Sequence, residues 1–413
     1  DAAERYGFPL VVDGASDAVS AAAELAAAGV PVIARPHFEA GANRGKSATG
    51  DWPEYDTIAR LVGEGVRVAI STPRGMGSSD LRFAAALAMR GGLGADRALD
   101  AITIEAARIL GVDGRVGSLR PGKDADLVVM TGAPLSTGAS VLATVVGGEI
   151  VWSPELTRSG SDATRPGKVK RGEPKALRRE PLQPVVVSVD ELHVGDGTVH
   201  RPGEVLLVGG KVAEVGARVA RPAGARVVRG AAAMPGMIDA WGHLGLDGIG
   251  RAVSTRRDAT RILEPGDYAD RQFARRGVTT GNLASTSLGS ITPTVSYKPA
   301  ADCFDGRVID GVATVFLEWN SNITTTSGDS VRQTLARARK YVDAWNQYEA
   351  AMATWTPPAP EPAATDDSDE DDEESEEEDD DDKPKKKKRK KGERDQAKPV
   401  TGVFEGTLTL AGA

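Results

Sequence analysis

The chain has 413 residues with a formal net charge of −8 at pH 7, and 40% of its residues are hydrophobic. This length is sufficient for two or three domains with buried cores, and no apolar run approaches the ~20 residues of a membrane span. The single cysteine, Cys303, excludes an internal disulfide framework and a cysteine-based zinc cluster. The composition predicts a soluble α/β protein, and we expect no membrane partner.

The charge is unevenly distributed along the chain. Residues 366–382 contain 15 acidic side chains and residues 383–391 contain 8 basic ones, and without both runs the net charge is −1. Adjacent runs of opposite sign are typical of a self-neutralising disordered linker. We therefore predict disorder over residues 357–399 and expect no nucleic-acid partner.

Residues 1–116 alternate short apolar runs with alanine-rich amphipathic segments, as the βα units of a parallel sheet or barrel do. The predicted strands are 9–13, 30–34 and 66–71, and the predicted helices are 17–28, 54–64, 79–90 and 95–110. We interpret this region as the C-terminal part of a (β/α) barrel.

The pattern then changes to short strands separated by proline and glycine. Residues 117–152 and 185–232 are predicted to form small β-sandwich segments on either side of a linker at 153–184, with Gly209-Gly210 as a hairpin turn. Residues 233–356 are predicted to begin a second barrel and to end in a helical segment, and residues 400–413 to begin a further β domain. The predicted fold class is α/β, with partial TIM-like barrel segments and small sandwich segments.

Three stretches carry a family resemblance: GSLRPGKDADLVVM at 117–130, GGKVAEVG at 209–216 and MPGMIDAWGHLG at 234–245. They resemble the amidohydrolase superfamily, and Gly277-Val-Thr-Thr is similar to its imidazolonepropionase-like subgroup. The resemblance implies a barrel with a composite β-sandwich. It also implies metal-activated water that hydrolyses C–N bonds in non-peptide or cyclic amides, with zinc as the first choice of divalent metal.

The order of these stretches is reversed relative to that family, because the barrel-to-sandwich signature precedes the first-strand motif. Two tandem copies, cut at both ends, explain the order most simply. Circular permutation, in which the sandwich segments pair and the barrel pieces close together, is the alternative. About six candidate barrel strands fall short of the eight that a closed barrel needs.

The metal motifs are incomplete in this sequence. Where the resemblance implies a His-x-His pair, the chain has Trp241, Gly242 and His243, so His243 is a metal ligand or a histidine left from a lost site. Asp13 stands at another ligand position, and its alternative role is to cap a helix or bond a loop amide. Pro73 stands where the resemblance implies the proton-shuttling Asp. The sequence therefore assigns no catalytic residue.

Other polar residues lie near predicted strand ends. His37 is a metal-ligand candidate or an exposed loop histidine, and Thr279, Thr280 and Asn282 are candidate substrate contacts. Two functions remain open. One is a hydrolase with a divalent metal and a small-molecule substrate, completed by a homo-oligomer or by missing halves of the parent chain. The other is a catalytically degenerate binding or scaffold module without a cofactor; the cellular compartment stays unassigned.

Overall fold

The computed structural model describes residues 9–13, 18–36, 56–72, 81–155, 182–242, 268–283, 292–299, 308–316 and 325–354. After a 3₁₀ turn at Ala18–Ala21, the helices in these ranges are α1 (Ala22–Ala27), α2 (Thr57–Gly63), α3 (Leu81–Arg90), α4 (Ala95–Ala101), α5 (Ile104–Ile109), α6 (Tyr268–Arg276) and α7 (Thr325–Thr354). The predicted linker core at 156–181 and the acidic and basic runs lie outside the described residues.

The strands form three sheets. They are β1 (Val12–Asp13), β2 (Val32–Ala34), β3 (Val68–Ile70), β4 (Leu127–Met130), β5 (Val141–Val146), β6 (Glu149–Trp152), β7 (Val185–His193), β8 (Val199–His200), β9 (Gly203–Val208), β10 (Lys211–Gly216), β11 (Arg226–Pro235), β12 (Met237–Gly242), β13 (Val278–Leu283), β14 (Thr292–Tyr297) and β15 (Val308–Phe316). Together with the helices they confirm the predicted mixed α/β class.

The first sheet contains the parallel strands β1, β2 and β3 in that order. Alternate residues of β2 and β3 face opposite sides, as the pleat of a strand requires. Val32, Ala34 and Ile70 lie in one core with residues of α2, α3 and α4. Ile33 belongs to a second core, which α5 and β12 complete. Both faces of this short sheet are therefore buried.

The second sheet joins the two predicted sandwich segments. Its main order is β10-β9-β7-β11-β4-β5-β6, and β8 pairs with β7. β11 pairs in parallel with β7 on one side and antiparallel with β4 on the other, where Ala232 faces Met130 and Pro235 faces Leu127. The segments expected as separate units thus share one sheet, and such pairing is what the permuted arrangement predicts.

The β9–β10 hairpin turns at Gly209-Gly210, as predicted, with φ angles of 58° and 82°. Positive φ at both central residues is the geometry of a type I′ turn. The sheet curls so that this turn meets the β5–β6 turn, and a Cβ on Gly148 would lie 3.1 Å from the Cα of Gly210. One continuous core of alternating valines and leucines fills the curled sheet.

The third sheet has the order β12-β13-β14-β15. β12 and β13 are parallel, whereas β14 and β15 are antiparallel to their neighbours. All strands of a (β/α)₈ barrel are parallel, and within the described ranges the strands form no closed barrel. The first and third sheets still meet, because β12 lies against β3 and the Ile238 amide donates to the Ile102 carbonyl at 2.8 Å.

Two element boundaries differ from the sequence prediction. The helix predicted over 95–110 is interrupted at Thr103, whose φ and ψ are −132° and −98° and whose hydroxyl donates to the Leu99 carbonyl at 2.7 Å. The last strand of the predicted 185–232 segment, β11, continues beyond that segment to Pro235, because β4 supplies a partner for its second half. Tertiary pairing therefore sets the end of β11, whereas a local side-chain bond accompanies the break at Thr103.

The chain divides into two compact units, and α7 belongs to the second. Along α7, Tyr341 and Trp345 stack with ring centroids 6.3 Å apart, and Trp345 and Tyr348 lie 5.6 Å apart. Trp345 Nε1 also donates to Glu349 at 2.7 Å. Pairs spaced three or four residues apart stabilise a helix along its own surface.

A substitution at Gly236 tests the close contact between β11, β12 and β13. A Cβ there would lie 2.0 Å from Thr279 Oγ1, whereas a Cβ on Gly138 would have no neighbour within 4 Å. We expect Gly236→Ala to lower the free energy of unfolding by about 1–3 kcal/mol through overpacking. Urea titration measures the change, and Gly138→Ala is the matched control. Equal stability of the two variants would contradict this packing.

Candidate site at the carboxyl ends of the parallel strands

A buried ion pair joins the ends of β1 and β2. Asp13 Oδ1 lies 2.5 Å from Arg35 Nη2, and the side chains are only 12% and 7% exposed. The Arg35 guanidinium also lies 5.6 Å from the ring centroid of Trp241, which is 4% exposed. Asp13 is thus engaged by a cation, and residues 14–17, where the predicted helix cap or loop-amide bond would form, lie outside the described residues.

Asp239 lies on β12 and is fully buried. Its Oδ2 accepts a hydrogen bond from Thr72 Oγ1 at 2.8 Å, and its Oδ1 faces the Thr72 and Trp241 amides at 3.4 and 3.3 Å. Burial raises the pKa of Asp239 to about 6, although these hydrogen bonds and the charge of Arg35 act in the opposite direction. The carboxyl group therefore exchanges a proton close to neutral pH.

The three predicted substrate contacts on β13 do not lie on the same face of the strand. Thr279 packs against Gly236. Because successive side chains of a strand point to opposite faces, Thr280 and Asn282 lie together on the other face. Asn282 Nδ2 donates to the Ala240 carbonyl at 3.1 Å. Among the residues that the structure describes, the Thr280 hydroxyl and Asn282 Oδ1 have no hydrogen-bond partner, and both atoms are buried. The polar face of β13 therefore consists of Thr280 and Asn282.

The described part of this site does not fit a divalent metal. Asp13 is neutralised by Arg35, and a metal beside that guanidinium would meet a like charge in a poorly screened location. Trp241 supplies an indole where a ligand is required. Among the described residues, no three or more His, Cys, Asp or Glu side chains are grouped to hold a metal ion. His243, His37 and Pro73 lie outside the described residues.

Sequence reasoning missed Arg35, Thr72 and Asp239. Arg35 and Thr72 each follow a predicted strand, and Asp239 precedes Trp241 by two residues within the first-strand motif. For Arg35 and Thr72, the position directly after a predicted strand was therefore a signal that could have identified them as site residues. The spacing within the chain did not indicate that Thr72 and Asp239, 167 residues apart, would bond. Two further histidines lie in the second sheet, His193 on β7 and His200 on β8.

A second cluster of buried charges lies directly before β4 and contains Asp124, Asp126 and Lys298. Lys298 Nζ is 2.7 Å from Asp124 and 2.8 Å from Asp126, and all three side chains are at most 5% exposed. Lys211 and Arg115 also contact Asp124, at 2.6 and 2.9 Å. Burial raises the pKa of Asp124, but the three cations outweigh it and hold the pKa at about 2. The cluster ties the 117–130 motif to the end of β14.

The polar side chains described above lie at the carboxyl ends of parallel strands, and these strands are joined to the curled sheet. The fold is therefore of the α/β class, and the candidate site lies at the strand ends. Residues 53–151 match the sequence model of the Amidohydrolase family, so this segment carries an amidohydrolase family domain. The segment includes β3 through β6 and the 117–130 motif, and it confirms the superfamily resemblance there.

One solved structure similar to the chain is an amidohydrolase from Thermotoga maritima MSB8. The two share 32% sequence identity over 37% of this chain and 39% of the other, with a TM-score of 0.33. The chain thus spans well under half the length of that relative. No curated protein matches the chain. None of the described helices is both long and apolar enough to span a membrane.

Asp239→Asn tests the buried carboxyl group. Because its pKa is raised from 3.8 to about 6, the folded protein retains a proton that the unfolded chain loses, and the wild-type free energy of unfolding should rise as pH falls from 7 to 4. The shift corresponds to roughly 3 kcal/mol, which Asp239→Asn should abolish. Urea titrations between pH 4 and 8 measure it, with the exposed Asp190→Asn as control. Parallel profiles for wild type and Asp239→Asn would refute the assignment.

Lys298→Met tests the second cluster. Removing this cation leaves two buried carboxylates with less compensation, and we expect a loss of about 3–5 kcal/mol at pH 7. The depressed pKa of Asp124 stabilises the fold above pH 3.8, so the deficit should shrink as the pH falls toward 2. Lys211→Met, at a side chain that is 52% exposed, is the control and should cost about 1 kcal/mol or less. Equal losses at all pH values would contradict this network.

Proposed function

We propose that this protein is an amidohydrolase-family member that binds a small molecule at the strand ends without metal-dependent hydrolysis. The ion pair between Asp13 and Arg35, with the guanidinium over Trp241, carries the proposal. It places a fixed protein cation where the family resemblance implies a metal. A guanidinium orients anions and carbonyl oxygens but does not activate water as a metal does.

Unsatisfied polar atoms support a binding role. Within the described part of the chain, the Ser71 hydroxyl, Arg35 Nε, the Thr280 hydroxyl and Asn282 Oδ1 are all buried without a hydrogen-bond partner. Buried polar groups in proteins almost always have partners, and those that lack one cost free energy. A small polar ligand at the strand ends would satisfy them. The proposed site therefore offers a few buried polar groups, which orient a ligand in the mostly apolar pockets that small molecules occupy.

The raised pKa of Asp239 favours a second candidate function. In this function the chain forms part of an imidazolonepropionase-like hydrolase within a partial TIM-like barrel. A buried carboxyl group with a pKa of about 6 is suited to proton transfer near neutral pH. In this case His243 and His37 would hold a divalent metal, zinc first, with partners from a second copy or the rest of the parent chain. Arg35 would then have to leave Asp13.

Metal content and turnover separate the two candidates. The purified 413-residue chain is incubated with zinc or manganese, desalted, and analysed for bound metal and for hydrolysis of cyclic amides and dipeptides. We expect less than stoichiometric metal and no turnover. Stoichiometric metal together with turnover would overturn the binding-module proposal.

Variants test which residues exclude the metal. We expect Trp241→His alone to recruit little zinc, because Arg35 still occupies the site, and Trp241→His with Arg35→Met to bind zinc at least tenfold more tightly than Trp241→His alone. Arg226→Met, at an exposed position on β11, is the control for loss of an arginine. Equal zinc affinity of the single and double variants would show that Arg35 does not exclude the metal.

A further inference from the structure

Lys123 lies in the loop of residues 116–123, between α5 and β4. Its Nζ donates to Ser118 Oγ at 2.7 Å and, more weakly, to the Val116 carbonyl at 3.4 Å. Both acceptors are neutral, and Ser118 is only 3% exposed. Lys123 itself is partly exposed. Neutral oxygen atoms therefore hold the amine in the loop, and the residue remains accessible from solvent.

Backbone hydrogen bonds hold this loop in place. The Leu119 amide donates to the Val194 carbonyl at 2.7 Å, and the Gly122 amide donates to the Val212 carbonyl at 2.9 Å. The Val212 amide in turn donates to the Lys123 carbonyl at 2.9 Å. The Leu119 side chain is fully buried. The loop is thus fixed to β10 and to the residue that follows β7, so the bond between Lys123 and Ser118 is part of an ordered framework.

The described ranges contain four lysines, and their surroundings differ. Lys211 and Lys298 lie 2.6 and 2.7 Å from Asp124, so their amines are held as ammonium ions. Asp124 directly follows Lys123 in the sequence, but its carboxylate is engaged by those other lysines. Lys340, on α7, is exposed. Among the described lysines, Lys123 thus combines partial burial with neutral hydrogen-bond partners.

Burial and neighbouring charges determine the protonation of this amine. Burial lowers the pKa of Lys123 from its usual 10.5, because the ammonium ion loses hydration there. The neighbouring charges act in both directions: Asp113 and Asp196 raise this pKa, whereas Arg120 and Arg108 lower it. At neutral pH, a larger fraction of this amine is therefore unprotonated than of an exposed lysine. A desolvated, unprotonated lysine is a nucleophile.

We propose that Lys123 is an acylation site that takes the acyl group of small activated donors of the acyl phosphate class. The unprotonated Nζ attacks the acyl carbon and forms an amide bond, while the bond from that carbon to the bridging oxygen breaks. Phosphate leaves with the electron pair of that bond, and the nitrogen releases one proton to water. An unprotonated amine has two N–H groups, and the two acceptors in the loop leave its lone pair available. This site is independent of the strand-end site and of the function proposed for it.

Peptide mapping by mass spectrometry of the 413-residue chain tests this proposal, with acetyl phosphate as the probe. At about pH 7.5 we expect Lys123 to be acetylated at least roughly threefold faster than Lys340, although Lys340 is more exposed. Lys298 is buried and ion-paired and should stay unmodified, so its modification reports unfolding. A rate for Lys123 that does not exceed the rate for Lys340 would overturn the proposal.

A matched pair of variants at Ser118 tests the cause of the reactivity. Ser118→Asp places a carboxylate beside Nζ and should slow the acetylation of Lys123 by about tenfold or more, because an opposite charge favours the ammonium ion. Ser118→Asn introduces a side chain of the same size with a neutral acceptor, and Lys123 should react much faster in it than in Ser118→Asp. Equal rates in the two folded variants would overturn the assignment. If thermal melts show that either variant is unfolded, the comparison of Lys123 with Lys340 in the wild type decides the proposal.

Discussion

Backbone pairing between β4 and β11 is the contact on which the rest of the structure depends. It joins a strand from the segment that matches the Amidohydrolase family to a strand outside that match. Because β12 follows β11 after a single glycine, this pairing also brings β12 beside β3. Asp239 meets Thr72, and Trp241 meets Arg35, as a consequence. The candidate site is thus assembled by the sheet rather than by local sequence.

Three carboxylates with little exposure, Asp13, Asp124 and Asp126, are compensated by cations from other elements of the fold. Arg35 compensates Asp13 between two neighbouring strands, and Lys298 compensates Asp124 and Asp126 across more than 170 residues. Removing one member of such a group leaves a charge in a low-dielectric location. Charge pairing therefore constrains which side chains can change independently.

Much of the fold was predictable from hydrophobic periodicity and turn residues. The β segments predicted at 117–152 and 185–232 do form strands, and the Gly209-Gly210 turn agrees with the sequence prediction because local residues determine it. β14 was missed because Pro293 and neighbouring polar residues obscure the alternation, and its pairing with β13 and β15 supplies what the local pattern lacks. Arg35 was missed because its role depends on Asp13 and Trp241, which only the fold brings close.

The length of chain between paired strands has a consequence for biosynthesis. Met130 on β4 pairs with Ala232 on β11, about a hundred residues later in the sequence. A ribosome adds roughly 5–20 residues per second. One edge of β4 therefore stays unpaired for several seconds, until β11 has been synthesised. That edge is apolar, and an unpaired apolar edge strand is a template for association with other chains. The nascent protein thus passes through an interval in which a chaperone has a defined strand to protect.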